Sequence, residues 1–147
     1  MAQFGRPSAD TSIGTWTDQG GGTTNIWDTI NETSASDTDY IRSVTSPSNT
    51  PYATKLTNLV DPASSTGHVM RWRRGKSVDG GSEQIDLTVQ LRQGYVNEGS
   101  PGTLICSKVV NDIPAAWTDD SYSLSAGEAD AITDYTSLYM RFLANKP

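Results

Sequence analysis

Residues 84–92 alternate polar and apolar side chains without a break, so that Ile85, Leu87, Val89 and Leu91 fall on one side and Asp86, Thr88, Gln90 and Arg92 on the other. Side chains change faces at every step of a strand, so this segment predicts one buried and one wet face. That is the signature of an antiparallel strand lying over a core. Near the C-terminus Leu138, Met140 and Phe142 interleave with Tyr139, Arg141 and Leu143 in the same way. In residues 68–74, Met70 and Trp72 make the better core face, which leaves Arg71 and Arg73 outward. Asp79-Gly80-Gly81 is a turn signal between 68–74 and 84–92, and it predicts that these two strands pair as a hairpin.

Weaker strand patterns cover residues 13–17, 25–30, 39–44, 52–59, 104–110, 121–124 and 135–145. Glycine-, proline- and serine-rich stretches at 19–24, 46–51, 60–67 and 93–102 read as loops. Ser125-Ala126-Gly127-Glu128 fits a capping box, in which the serine oxygen meets the amide three residues on and the glutamate reaches back. It predicts one short helix over about 126–132. A single sheet would leave its apolar stripes in water, whereas two sheets packed face to face bury them. The expected fold is therefore all-β: a single antiparallel β-sandwich, jelly-roll-like, with one short helix near the C-terminus. Residues 1–12 show no period and read as a flexible N-terminal arm, followed by one domain over 13–147.

The 147 residues are 35% hydrophobic and carry a net charge of −6, so a free-standing nucleic-acid binder is not expected. No apolar run approaches a membrane span. Residues 1–40 hold six acids against Arg6 alone, and 112–134 hold six acids and no base. Residues 68–92 hold five bases against three acids. The outward arginines Arg71, Arg73, Arg92 and Arg141, with Phe4 and Arg6 of the arm, form a candidate assembly interface, because guanidinium forks take carboxylates bidentately and are favoured at interfaces. The acidic segments could face them on a neighbouring subunit, or the arginines could pair within the chain.

Catalytic chemistry finds little support. His68 is the sole histidine and Cys106 the sole cysteine, too few for a zinc shell and without a triad pattern. Cys106 lies in a strand and reads as a small buried hydrophobe, and the absence of any cysteine pair suits a cytosolic synthesis. The first residues also lack the apolar stretch of a signal peptide. Asp37, Asp39, Asp119 and Asp120 could supply oxygens to calcium, but no complete ligand loop accompanies them. No catalytic residue, metal or cofactor is expected. Trp16 and Trp27, if exposed, would suit stacking against sugar rings and define an alternative glycan platform.

Several segments carry a resemblance: 14–17, 36–41, Val60-Asp61-Pro62 followed by 66–73, and 129–135 with Leu138, Arg141 and Phe142. Together they resemble small jelly-roll virion structural proteins of tailed bacteriophages, of the capsid decoration or cement type. The resemblance spans most of the chain from Gly14 onward, and its motifs are structural. It implies a non-enzymatic protein of the virion, assembled in the host cytoplasm, that binds the major capsid protein and itself. The net charge and the lack of a membrane-length apolar run leave no nucleic-acid or membrane partner expected. A carbohydrate- or receptor-binding module on the virion or tail is the alternative.

Overall fold

The computed structural model describes residues 2–77 and 83–147. In chain order the strands are β1 (Pro7–Ser12), β2 (Thr17–Asp18), β3 (Ile41–Arg42), β4 (Thr50–Leu56), β5 (Val69–Arg74), β6 (Asp86–Gln93), β7 (Thr103–Val110), β8 (Thr118–Ser123) and β9 (Leu138–Asn145). One helix, α1 (Ala126–Asp130), precedes β9, and a 3₁₀ turn spans Ile26–Ile30. The fold is all-β and sandwich-like. One layer is a five-stranded antiparallel sheet in the order β1-β4-β9-β6-β7. The other is divided into two ribbons, β2–β3 and β5–β8.

The alternation in β6 and β9 builds the core. Leu87, Val89 and Leu91 lie opposite Ala144, Phe142 and Met140, and Tyr52 of β4 flanks Phe142 on the other side. Met70 and Trp72 of β5 close over this layer with Trp16, Ile26 and Ile41. Burying a side chain such as Leu, Val or Met stabilises the fold by about 1.5–3 kcal/mol each, so this patch is the main adhesive between layers. The capping box forms as expected, with the Ser125 side chain accepting from the Glu128 amide and Glu128 accepting from the Ser125 amide. The helix it starts is shorter than the stretch to 132.

Several expectations are corrected. Strand β5 does not pair with β6; it pairs with β8, with Arg73 opposite Asp119, while β6 lies between β7 and β9. The turn at 79–81 lies outside the described residues. The partner choice follows charge: β8 carries Asp119 and Asp120, which bond Arg73 and Arg74 directly, and opposite charges across a strand pair are favourable. Residues 13–17 supply only the first residue of β2. Residues 7–12 are not a loose arm but the edge strand β1, paired along β4.

Residues 25–30 also depart from the expected strand. Asn25 is left-handed (φ 54°), and the Asp10 carboxylate accepts the amides of Ile26 and Trp27, each at 2.9 Å. The first amides of a helical turn have no partner within the turn, so a carboxylate placed there stabilises it. The same carboxylate accepts the Tyr52 hydroxyl at 2.8 Å. Asp10 thereby joins β1, the 3₁₀ turn and β4. Tyr52 is fully buried. Burial first, and then its bond to Asp10, push its hydroxyl well above the ordinary phenol range.

Candidate functional site

The six candidate interface residues do not share one surface. Arg71 and Arg73 are on the outer side of β5, whereas Arg92 and Arg141 are on the outer side of the five-stranded sheet. These are opposite outsides of the sandwich, because the inner sides of both strands meet in the core.

Most of these arginines have partners inside the chain. Arg73 bonds both oxygens of Asp37 through Nε and Nη2, at 2.6 and 3.0 Å, and reaches Asp119 through Nη1 at 2.9 Å. The hydrogen bond from Arg73 holds the Asp37 carboxyl below its ordinary range. The basic strand and the acidic segments thus meet within one chain. They also occupy the calcium candidates: Asp37 and Asp119 hold Arg73, Asp120 holds Arg74, and Asp39 accepts from Gln19. Among the described residues, no group of three or more His, Cys, Asp or Glu side chains is placed to hold a metal ion.

Arg92 and Arg141 fix loop 94–102 against the outer side of the large sheet. Arg92 donates to Gln90 and to the carbonyls of Pro101 and Gly102. Arg141 donates to Gln90 and forms an ion pair with Glu98. Tyr95, the buried residue of that loop, packs its ring 5.8 Å from Tyr139 and donates its hydroxyl to Glu98. The Arg141 hydrogen bond is the main cause that depresses the Glu98 carboxyl. Burial first, and then the bond to Glu98, push the Tyr95 hydroxyl up to about 12. No feature of the Gly- and Asn-rich loop sequence announces this clamp except its single tyrosine.

Arg71 is exposed and has no side-chain partner among the described residues. Phe4 is exposed and lies beneath the Arg6 guanidinium, whose carbon is 5.6 Å from the ring centre. Arg6 also donates to the Glu32 carbonyl. Gln3 makes reciprocal bonds with the Val60 backbone, so Phe4 and the exposed Val60 lie close together.

The aromatic candidates are less open than a glycan platform requires. Trp16 is only 7% exposed and donates its indole N–H to the Thr50 carbonyl, so it has no free ring face to offer. Trp27 is half-buried at the 3₁₀ turn. His68 has its Nε2 2.7 Å from the Tyr135 hydroxyl, a phenol partner rather than a carboxylate. Cys106 is buried, and burial raises its thiol pKa, which keeps it away from the reactive thiolate.

One further feature emerges from the fold, the strand β7. It ends the five-stranded sheet, and no backbone bond among the described residues covers its outer edge. Its one charge, Lys108, is turned inward, with its ammonium 3.9 Å from the centre of the Tyr122 ring. On the outer face Leu104 and Val109 are 45% and 59% exposed.

No family model matches the chain, and neither the curated proteins nor the solved structures contain a match to it.

Proposed function

We propose that this chain is a structural protein of a phage virion, a capsid decoration or cement protein, which docks on the major capsid protein and performs no catalysis. The observation that carries this reading is the open edge of β7. An exposed, apolar edge strand presents unpaired amides and carbonyls to any extended segment, and adding a strand is a common mode of protein recognition. Eight residues with one inward-turned charge make a long docking rail. Exposed Leu104 and Val109 would fix the partner's side chains on the outer face. The sequence resemblance supplies the kind of partner, an extended segment of the capsid shell. Arg71, free of internal partners among the described residues, is the polar contact available on the opposite outside of the sandwich.

The experiment is attachment of the purified chain to particles lacking it, read by copy number in mass spectrometry. Wild type should saturate a fixed number of shell sites. Val109→Lys should lower occupancy at least tenfold, because a lysine placed on the edge is a known means of blocking strand addition. Arg71→Glu should lower it less. Failure of wild type to attach, or full occupancy by Val109→Lys, would remove the edge-docking reading.

A further inference from the structure

The open edge of β7 has an internal symmetry. Its outward, exposed side chains are Leu104, Ser107 and Val109, and they stand opposite Arg92, Gln90 and Thr88 of β6. Those β6 residues are evenly spaced, so their partners on β7 are evenly spaced too. The departure from register at Ile105 takes up the extra residue between Leu104 and Ser107. Ser107 is therefore the midpoint between two exposed apolar side chains.

The backbone singles out the same three residues. Along an antiparallel strand, successive residues turn their amide and carbonyl to alternate neighbours. The Gly94 amide donates to the Ser137 carbonyl on the β9 side of β6, whereas the Ile85 carbonyl accepts from Ile113 on the β7 side. Even-numbered residues of β6 thus serve β9 and odd-numbered ones serve β7. Leu104, Ser107 and Val109 face even-numbered residues, so their own amides and carbonyls point away from β6, to the open edge.

A two-fold axis through Ser107 makes such an edge its own complement. An isologous contact requires that residue i meet residue j and that j meet i. Two antiparallel β7 strands about this axis set Ser107 against Ser107 and Leu104 against Val109, twice. Each facing pair exchanges two backbone bonds, and the apolar side chains of both copies leave water. Charge agrees on the inner side. There Lys108 comes opposite Cys106 of the second copy rather than opposite its lysine. Glu128 lies close enough to Cys106 for its charge to act on the thiol, and it also accepts the Tyr122 hydroxyl. Each ammonium therefore approaches a carboxylate across the axis.

We propose that β7 pairs in solution with β7 of a second copy about Ser107, joining two five-stranded sheets into one. The proposal rests on the same open edge as the docking reading, and a shell segment bound at β7 displaces the second copy. Each copy contributes one strand and two exposed apolar side chains. Such a contact is small, so the dimer is transient, with a dissociation constant of roughly 10–100 μM.

The test is sedimentation of the full chain across the micromolar range. Wild type should pass from monomer to dimer. Ser107→Glu and Ser107→Lys each set like charges against one another at the axis, and each alone should dimerise at least tenfold more weakly. An equal mixture of the two opposes Glu to Lys and should restore the dimer. Thermal melts report whether the variants are folded. Hydrogen exchange of the wild type needs no variant: the amides of Leu104, Ser107 and Val109 should gain protection as concentration rises, while those of Cys106 and Lys108, already bonded to β6, should not. A monomer at every concentration, undiminished dimerisation of Ser107→Glu, or a mixture that stays monomeric would each overturn the proposal. Attachment to particles is read separately by copy number. A monomeric chain that attaches would overturn self-pairing alone, and a dimer with the expected Ser107 behaviour that does not attach would support self-pairing and remove docking.

Discussion

The two ends of the five-stranded sheet are built on opposite principles. At one end β1 carries Pro7 and Asp10, departs from regular register twice along β4, and is covered by the 3₁₀ turn that Asp10 holds. Proline, charge, bulging and cover are the usual means by which an edge is protected from stray pairing. At the other end β7 has no proline and no outward charge, and it exposes Leu104 and Val109; it departs from regular register once, at Ile105, and α1 lies near it. The contrast teaches that the two ends of this sheet are protected unequally: β1 by proline, charge, cover and two departures from register, β7 by a single departure.

The largest expected effect is at the protected end. Asp10→Ala strips the partner from the Ile26 and Trp27 amides and from the Tyr52 hydroxyl. Each orphaned group costs about 1–3 kcal/mol when buried, and these are partly buried, so the total should be about 3 kcal/mol. For a chain of this size that is roughly a 10 °C fall in Tm by differential scanning calorimetry. A fall below about 2 °C would show that β1 is held by its ladder alone, and the contrast between the two edges would lose its chemical basis. Deleting the whole stretch 2–12 would remove Asp10 as well as Phe4 and Arg6. Truncation of residues 2–5 is therefore the cleaner way to ask what the exposed N-terminal residues contribute to attachment.

That role of Asp10 also marks where the sequence was legible. The strands β6 and β9, the inward pair Met70 and Trp72, and the capped helix were readable, because period-two alternation and a capping box are local signals. Residues 7–12 have no apolar period, and their order comes from hydrogen bonds to residues far along the chain. Ile26 and Ile30 are four apart, a spacing that serves a strand face and a helical turn equally, and only the Asp10 carboxylate decides between them. The basic and acidic blocks were visible as charge. That they meet as Arg73–Asp37 and Arg73–Asp119 inside one chain, rather than across subunits, depends on topology.

The second effect tests how β7 is positioned. Gly102 adopts φ +66° just before β7, and a Cβ there would collide with the Gln93 carbonyl oxygen and would come within 2.7 Å of the Gly94 carbonyl. An L-residue is strained in that conformation whatever the space around it. Gly102→Ala should cost about 2–3 kcal/mol and loosen the entry to β7. Hydrogen exchange should rise in 94–104 and stay unchanged in β1. Equal rises at both edges would mean that the sheet responds as one body and its ends are not independent.

A smaller effect follows from acid. Arg141 depresses the Glu98 carboxyl below its ordinary value of 4.5, so folding favours the ionised form. As pH falls, the unfolded chain takes up this proton first. The stabilisation is therefore complete above about 4.5 and is lost as pH drops through the lower folded value. Tyr95 loses a charged acceptor over the same range. NMR of the Tyr95 and Tyr139 rings should report release of loop 94–102 below pH 4.5. In Arg141→Gln the midpoint should move upward, towards the ordinary carboxyl value. An unmoved midpoint would assign the depression to Tyr95 instead.

The smallest expected change in stability is at the open edge itself. Val109 projects into water from the outer face of β7, and a lysine there can stay solvated. Val109→Lys should alter folding stability by no more than about 0.5 kcal/mol, the usual range for a surface site with no special contact. The comparison with Asp10→Ala then becomes quantitative: one substitution weakens the fold through the covered edge, while the other leaves the fold intact and changes only what the edge can recruit. A large drop in Tm for Val109→Lys would mean that the outer face of β7 is already engaged within the chain. In that case both edges are protected, and attachment would have to be sought at Arg71 or at Phe4 and Val60 instead.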